Sequence, residues 1–327
     1  MKPVGIIVNP WSGANRRHGN REIGRQLERA FGEAAVVVTT SSRDDVPGAL
    51  ERFKEAGAGI YGVSGGDGTL RYVLDKYVEL FGEKDIPPFL PLKGGTINMV
   101  AGDVGLRGDQ PAVAAAVADM VRKGIRLPTV KRNLLRVRDG GRGETVYCFC
   151  WMDGAMVRFL QDYYREGATA TTAFCLSIRY LLGAVGGGDL EESTASLRID
   201  GAAVLEGGHL FLVASTLRRL AFGLAPFAAE AASGAGFSVL GVDRRYIRRS
   251  IPRLLRHLFG GMEGRPDEGF VNTLARTLEV TGAAGYAADG EIFDSGERRL
   301  EVTLGPTVPM VSLDAKSSTH GEPQWSR

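Results

Sequence analysis

The chain has 327 residues, 44% hydrophobic and 24% charged, a globular composition long enough for two cored domains. With 40 basic and 38 acidic residues the net charge is +2, so bulk charge does not call for nucleic acid as a partner. Three cysteines (Cys148, Cys150, Cys175) make no disulfide framework and fit a reducing compartment, and four scattered histidines argue against a zinc site.

Val4 to Val8 reads as a strand that starts almost at the N-terminus, leaving no room for a signal peptide. It ends in Asn9-Pro10-Trp11-Ser12-Gly13, which is turn chemistry. Ser12 offers a hydroxyl and Gly13 permits close backbone approach, so this is either a nucleotide-contacting loop or a plain surface turn. A helix is expected over Arg21 to Phe31, with Ile23, Leu27 and Phe31 on one face. A second strand, Ala35 to Val38, ends at Thr39 and Thr40, and a second helix covers Val46 to Ala56.

The most informative stretch is Tyr61 to Tyr72, YGVSGGDGTLRY. A buried strand runs into Gly65-Gly66-Asp67-Gly68, and Thr69 opens a helix with Leu70, Val73, Leu74, Tyr77 and Val78 on one face. Missing Cβ atoms let the backbone approach an anion, and the first helical N–H groups point at it. A carboxylate facing phosphates is repulsive unless a cation lies between them or it takes a proton. Asp67 therefore points to Mg²⁺–nucleotide chemistry. Phe89 to Leu92 is a further strand, followed by Lys93-Gly94-Gly95-Thr96-Ile97-Asn98, a second glycine-rich loop; Met99 and Val100 begin a short apolar segment, and Ala112 to Lys123 reads as a helix. Alternating strands and helices predict an α/β nucleotide-binding domain with a parallel, Rossmann-like sheet over residues 1–128. Its ligand lies at the carboxyl ends of the strands.

After about Pro128 the pattern changes. Asn133 to Arg138 and Thr145 to Trp151 read as a hairpin, and Phe159 to Arg165 and Ala173 to Val185 as helices. The second helix is apolar over most of its surface, which predicts burial or a greasy pocket near Trp151, Met156, Phe159, Phe174 and Leu181. Strands are expected at Ser196 to Ile199, Ala203 to Glu206, His209 to Ser215, Gly236 to Val242, Thr277 to Thr281 and Arg299 to Leu304. This half, 129–305, reads as a mainly antiparallel β-sandwich. The polar tail from Lys316 reads as disordered. Two features stand out. Asp289-Gly290-Glu291 is a turn or a carboxylate pair able to take a proton from a hydroxyl. Arg244 to Phe259, RRYIRRSIPRLLRHLF, is basic and amphipathic, suited to an anionic membrane surface or to packing with a solvated basic face. No apolar run is long enough to span a bilayer.

Taken together and in this order, Asn9 to Gly13, Thr39, Gly65 to Leu70, Gly95 to Asn98, Leu224-Ala225-Pro226 and Asp289 to Glu291 resemble the diacylglycerol kinase catalytic-domain family. That lipid-kinase group includes bacterial diacylglycerol kinases, YegS-like lipid kinases, and sphingosine and ceramide kinases, with NAD kinases more distant. The resemblance covers about 280 residues. It implies an ATP-binding α/β domain, a β-rich lipid-binding domain, an active site between them, and return of the chain (306–315) to the first domain. It also implies transfer of the ATP γ-phosphoryl to a lipid hydroxyl, with Mg²⁺. By this carry-over Asn9, Pro10, Ser12, Gly13, Thr39, Gly65, Gly66, Asp67, Gly68, Thr69, Gly95, Thr96 and Asn98 hold the nucleotide. Asp67 positions Mg²⁺–ATP or acts as the base, and Glu291 is the proton acceptor with Asp289 beside it. The partners implied are a lipid substrate and the cytoplasmic face of a membrane, with no nucleic acid and a homodimer left open. Arg71-Tyr72 and Met99 depart from the family pattern, and Gly234 to Ser238 lacks both aspartates that relatives link to a structural Mg²⁺. A soluble NAD-kinase-like or polyol kinase and a catalytically weak nucleotide-binding regulator are the alternatives.

Overall fold

The computed structural model describes residues 3–17, 22–141, 143–186, 190, 192–227, 235–249, 264 and 268–314. The chain divides into two compact units, Met1–Arg132 with Thr307–Arg327, and Asn133–Pro306.

In the first unit the elements run β1 (Val4–Val8), α1 (Gly13–Arg17), α2 (Glu22–Phe31), β2 (Ala35–Thr39), α3 (Asp45–Glu55), β3 (Ile60–Gly65), α4 (Asp67–Phe81), β4 (Phe89–Lys93), α5 (Met99–Asp103) and α6 (Gln110–Arg122). The strands pair in parallel in the order β2-β1-β3-β4, and the end of the chain's last strand returns parallel to β4 with Met310 opposite Phe89. Continuous apolar runs such as VGIIV suit strands covered on both faces, and β1 is buried throughout. Below the sheet Phe53, Tyr61, Tyr77 and Phe89 meet mainly edge to face, with ring centroids 5.5 to 5.8 Å apart. The chain turns one way from β1 to β2 and the other way to β3. The carboxyl ends of β1 and β3 therefore form the crevice where ligands bind in such sheets.

The second unit holds β5 (Thr129–Asp139), whose first residues belong to the first unit, β6 (Glu144–Cys148), β7 (Cys150–Gly154), α7 (Ala155–Arg165), α8 (Ala170–Gly186), β8 (Ser196–Ile199), β9 (Ala202–Val204), β10 (Phe211–Ser215), β11 (Phe237–Val242), α9 (Arg244–Arg249), β12 (Phe270–Ala275), β13 (Thr277–Ala288) and β14 (Glu291–Val311), whose last residues also belong to the first unit. Its pairings are antiparallel in the order β12-β11-β10-β7-β13-β14. The long β13 pairs with β8 at Leu278–Thr281 and with β7 at Ala287–Ala288, so it joins both halves around one core of Trp151, Phe237, Leu278, Tyr286, Leu300 and Val302.

Several sequence expectations change. The single strand expected from Thr145 to Trp151 is two, because the N–H groups of Phe149 and Cys150 turn to the carboxylate of Asp289 instead of a neighbouring strand. β12 was not foreseen, and β14 is continuous where a shorter strand was expected. The apolar residues expected around one pocket do not gather. Trp151 stacks on Tyr286 inside the core, Phe174 is exposed, and Leu181 lies outside the described side chains. The expected burial of α8 fails on one face, where Phe174, Ile178 and Leu182 stand in solvent. Of Arg244 to Phe259 only Arg244–Arg249 is described; Arg21 and the tail after Asp314 also lie outside the described residues.

Candidate functional site

The loops after β1, β3 and β4 are packed into one another in the first unit. A Cβ on Gly95 would sit 2.4 Å from Cα of Gly66, one on Gly13 2.3 Å from Oγ1 of Thr96, and one on Gly65 2.5 Å from Cβ of Thr69. At Gly95 glycine is required because two backbones touch, while at Gly13 and Gly65 a Cβ would collide with the side chains of Thr96 and Thr69.

Polar side chains then stitch the loops. Asn9 Nδ2 donates to Thr69 Oγ1 at 2.9 Å while its Oδ1 accepts Trp11 N–H at 3.0 Å. Ser12 Oγ lies 3.0 Å from the carbonyl of Asn9 and 2.9 Å from that of Gly94, so its one proton is shared between them. Asn98, in the left-handed region at φ 55°, closes its own loop by bonding both the N–H and the C=O of Gly95. Three residues that sequence reasoning missed complete the network. Buried Asn15 donates to the carbonyls of Asn9 and Ser64 and to Ser64 Oγ, and Gln110 Nε2 donates to the same hydroxyl at 2.9 Å. The signal was available: Ser64 is the polar residue within an otherwise apolar strand end, and buried polar groups need partners.

Asp67 is the only acidic side chain in the first turn of α4. Its Oδ2 accepts Met99 N–H at 2.9 Å and its Oδ1 accepts Val100 N–H at 3.1 Å, so it joins the loop after β3 to the start of α5. Burial pushes its carboxyl above the ordinary 3.8, and the backbone N–H groups of Val100, Met99 and Asp67 itself oppose that shift. Gly66, the N-cap of α4, has no side-chain cap, which leaves the helix's first amides to a ligand. Gly68 follows in that turn, and Pro10 is buried behind Asn9. Thr39 is placed apart from this network: its Oγ1 packs against Gly24 of α2, within 2.6 Å of where a Cβ there would be. Lys93 does not turn to the loops either; its Nζ donates to the carbonyl of Gly108 at 2.5 Å.

The fit to a Mg²⁺–nucleotide follows from these observations. A cradle that a Cβ would fill, with an uncapped helix N-terminus, suits phosphate oxygens. Among the described residues no group of three His, Cys, Asp or Glu side chains could hold a metal ion, so a cation here would be held by phosphates and Asp67, as Mg²⁺ commonly is.

In the second unit Asp289 is buried, with φ 45°, and its oxygens accept Phe149 and Cys150 N–H at 2.9 Å each. Its carboxylate accepts these two amides and so fixes the turn. Glu291, the first residue of β14, is half-buried. Between them the Gly290 carbonyl accepts the Tyr164 hydroxyl at 2.5 Å.

The first unit is a Rossmann-like α/β unit with a glycine-built crevice at the reversal of its parallel sheet, the place where ligands bind in open sheets of this kind. Residues 3–129 match the family model described as the diacylglycerol kinase catalytic domain, the family that the order of the motifs resembles. Comparison with solved structures gives the same fold across both units. A diacylglycerol kinase from Bacillus anthracis str. Sterne superposes with a TM-score of 0.63 at 13% identity, covering 96% of this chain and 98% of that one. Two further structures from that organism, described provisionally as diacylglycerol kinases, give 0.67 and 0.66 at 16% identity, covering 96% and 95% of this chain and 97% of each of theirs. Comparison with curated proteins returned no match.

Proposed function

We propose that this protein is an ATP- and Mg²⁺-dependent lipid kinase that transfers the γ-phosphoryl group to a hydroxyl of a membrane lipid of diacylglycerol, ceramide or sphingoid type. The observation that carries the reading is the interlocked glycine crevice at the end of β3, with Asp67 beside it, inside the stretch that matches the diacylglycerol kinase catalytic domain.

Transfer forms a bond between the lipid oxygen and the γ-phosphorus and breaks the bond from that phosphorus to the β,γ-bridging oxygen, releasing ADP. The protein's work is positioning and charge neutralisation. Backbone amides at the start of α4 hold phosphate oxygens, and the Asn9–Thr69 bond fixes the loop that presents them. Bound Mg²⁺ supplies neutralisation of the phosphate charge. Asp67 would hold that cation through carboxylate lone pairs not used by the backbone amides it accepts. Glu291 is the proposed acceptor of the lipid hydroxyl proton, and Asp289 holds the turn that carries it.

Incubation with γ-labelled ATP, Mg²⁺ and a panel of diacylglycerol, monoacylglycerol, ceramide, sphingoid base and NAD tests the reading. Label in one or more lipids supports it. Label in NAD or another water-soluble acceptor alone replaces it with a soluble kinase, and ATP binding without transfer replaces it with a regulator.

A further inference from the structure

The turn Asp289-Gly290 joins β13 to β14, with Ala288 paired to Glu291 across it. Both turn residues have positive φ, 45° and 86°, as in the type I′ turn of a two-residue hairpin. A glycine here leaves the peptide unit that leads into Glu291 free to rotate unless something holds it. That unit is planar, so the direction of the Gly290 carbonyl also sets where the backbone of Glu291 begins. The Tyr164 hydroxyl donates to that carbonyl at 2.5 Å and lies 3.3 Å from where a Cβ on Gly290 would be.

One stretch of chain grips this turn from its two ends. Beside the start of β7 the Phe149 and Cys150 N–H groups bond the Asp289 carboxylate, and the Cys150 carbonyl accepts the Asp289 N–H at 2.9 Å. At the other end, in the last turn of α7, stands Tyr164. That helix end is itself anchored. Asp162 accepts the Tyr180 hydroxyl at 2.8 Å and the Arg179 guanidinium at 2.9 Å, both from α8, and buried Tyr163 donates to the Ala168 carbonyl at 2.9 Å. Tyr164 is 51% exposed, so water can replace its hydrogen bond at little cost to the fold. What the bond supplies is direction for the Gly290 carbonyl.

We infer that Tyr164 is a positioning residue for Glu291: by holding the Gly290 carbonyl, its hydroxyl fixes the carboxylate that takes the proton of the acceptor hydroxyl. The inference rests on the reading of Glu291 as that proton acceptor.

The test is Tyr164→Phe in the full chain, which deletes the hydroxyl and keeps the ring. Melting temperature, kcat and KM for ATP with the acceptor that takes label, and hydrogen exchange over Tyr286 to Asp294 are measured beside the wild type. The variant is expected to keep its melting temperature and to hold KM within about twofold. Its kcat should fall about tenfold or more, the mark of an interaction that matters only in the transition state, and the turn should exchange faster. A kcat within about twofold of the wild type, or unchanged exchange at the turn, overturns the inference. A kcat that falls only in step with the melting temperature overturns it too, because the contact is then structural. A wild type that labels no acceptor defeats the kinase reading instead, and exchange at the turn still decides whether Tyr164 holds it.

Discussion

The carboxylate of Asp67 accepts the backbone N–H of Met99 at 2.9 Å, and that of Val100 with its other oxygen. One side chain thus fastens the glycine loop after β3 to the helix that follows the glycine loop after β4. Asp67→Ala leaves two amides without acceptors, at about 1–3 kcal/mol each where water cannot replace them. The melting temperature should fall by several degrees and transfer should be lost. Asp67→Asn retains one acceptor oxygen, so it should recover part of the stability and little of the transfer. Thermal unfolding beside initial rates reads both.

Burial raises the Asp67 pKa above 3.8. The folded chain therefore binds this proton more tightly than the unfolded chain. Relative to Asp67→Asn, the wild type should lose stability as pH rises from about 3.8 through the folded-state value, and then level off. Mg²⁺–ATP binding should run the opposite way, weakening on acidification with a midpoint above 3.8. Calorimetric titration across pH checks the sign; a wild-type midpoint at or below 3.8 would contradict it.

Gly95 and Gly48 make a matched pair. A Cβ at Gly95 meets backbone of Gly66, so Gly95→Ala must push the two loops apart and should weaken ATP binding at least tenfold, roughly 1.4 kcal/mol. Gly48, exposed within α3, has nothing within 4 Å of its Cβ position. Gly48→Ala should stabilise by about 0.5–1 kcal/mol and leave ATP binding alone. Denaturant unfolding and ATP titration of both variants would show the contrast.

The Asp289–Glu291 pair should divide by role. Asp289→Ala strands the amides of Phe149 and Cys150 and should cost several kcal/mol of stability. Glu291→Gln should unfold like the wild type while transfer drops at least a hundredfold. If Glu291→Gln keeps full activity, the proton goes elsewhere.

Much of this was legible in the sequence, and what was not has identifiable physical reasons. The parallel sheet showed in apolar runs that end in glycine loops, and the loops' membership in one site showed in their order. What each polar side chain does was hidden. Ser12, Asn98 and Asp289 read as ligand groups, yet each spends hydrogen bonds on nearby backbone, a choice made by loop geometry that no spacing encodes. Thr39 was placed correctly at a strand end, but its hydroxyl turns to Gly24. Helix α8 is apolar nearly all round, so periodicity could not say which face would be left in solvent. β14 was read only from Arg299 to Leu304, whereas its pairing with β13 already starts at Glu291 and is carried through register shifts.

The central claim is lipid phosphorylation, and the most direct measurement is the appearance of label from γ-labelled ATP in the organic extract of a reaction with dispersed lipid and Mg²⁺, wild type beside Glu291→Gln. The account predicts a labelled lipid that accumulates with time for the wild type and falls to near background for the variant. Label confined to the aqueous phase, in a protein shown to bind ATP, would contradict it.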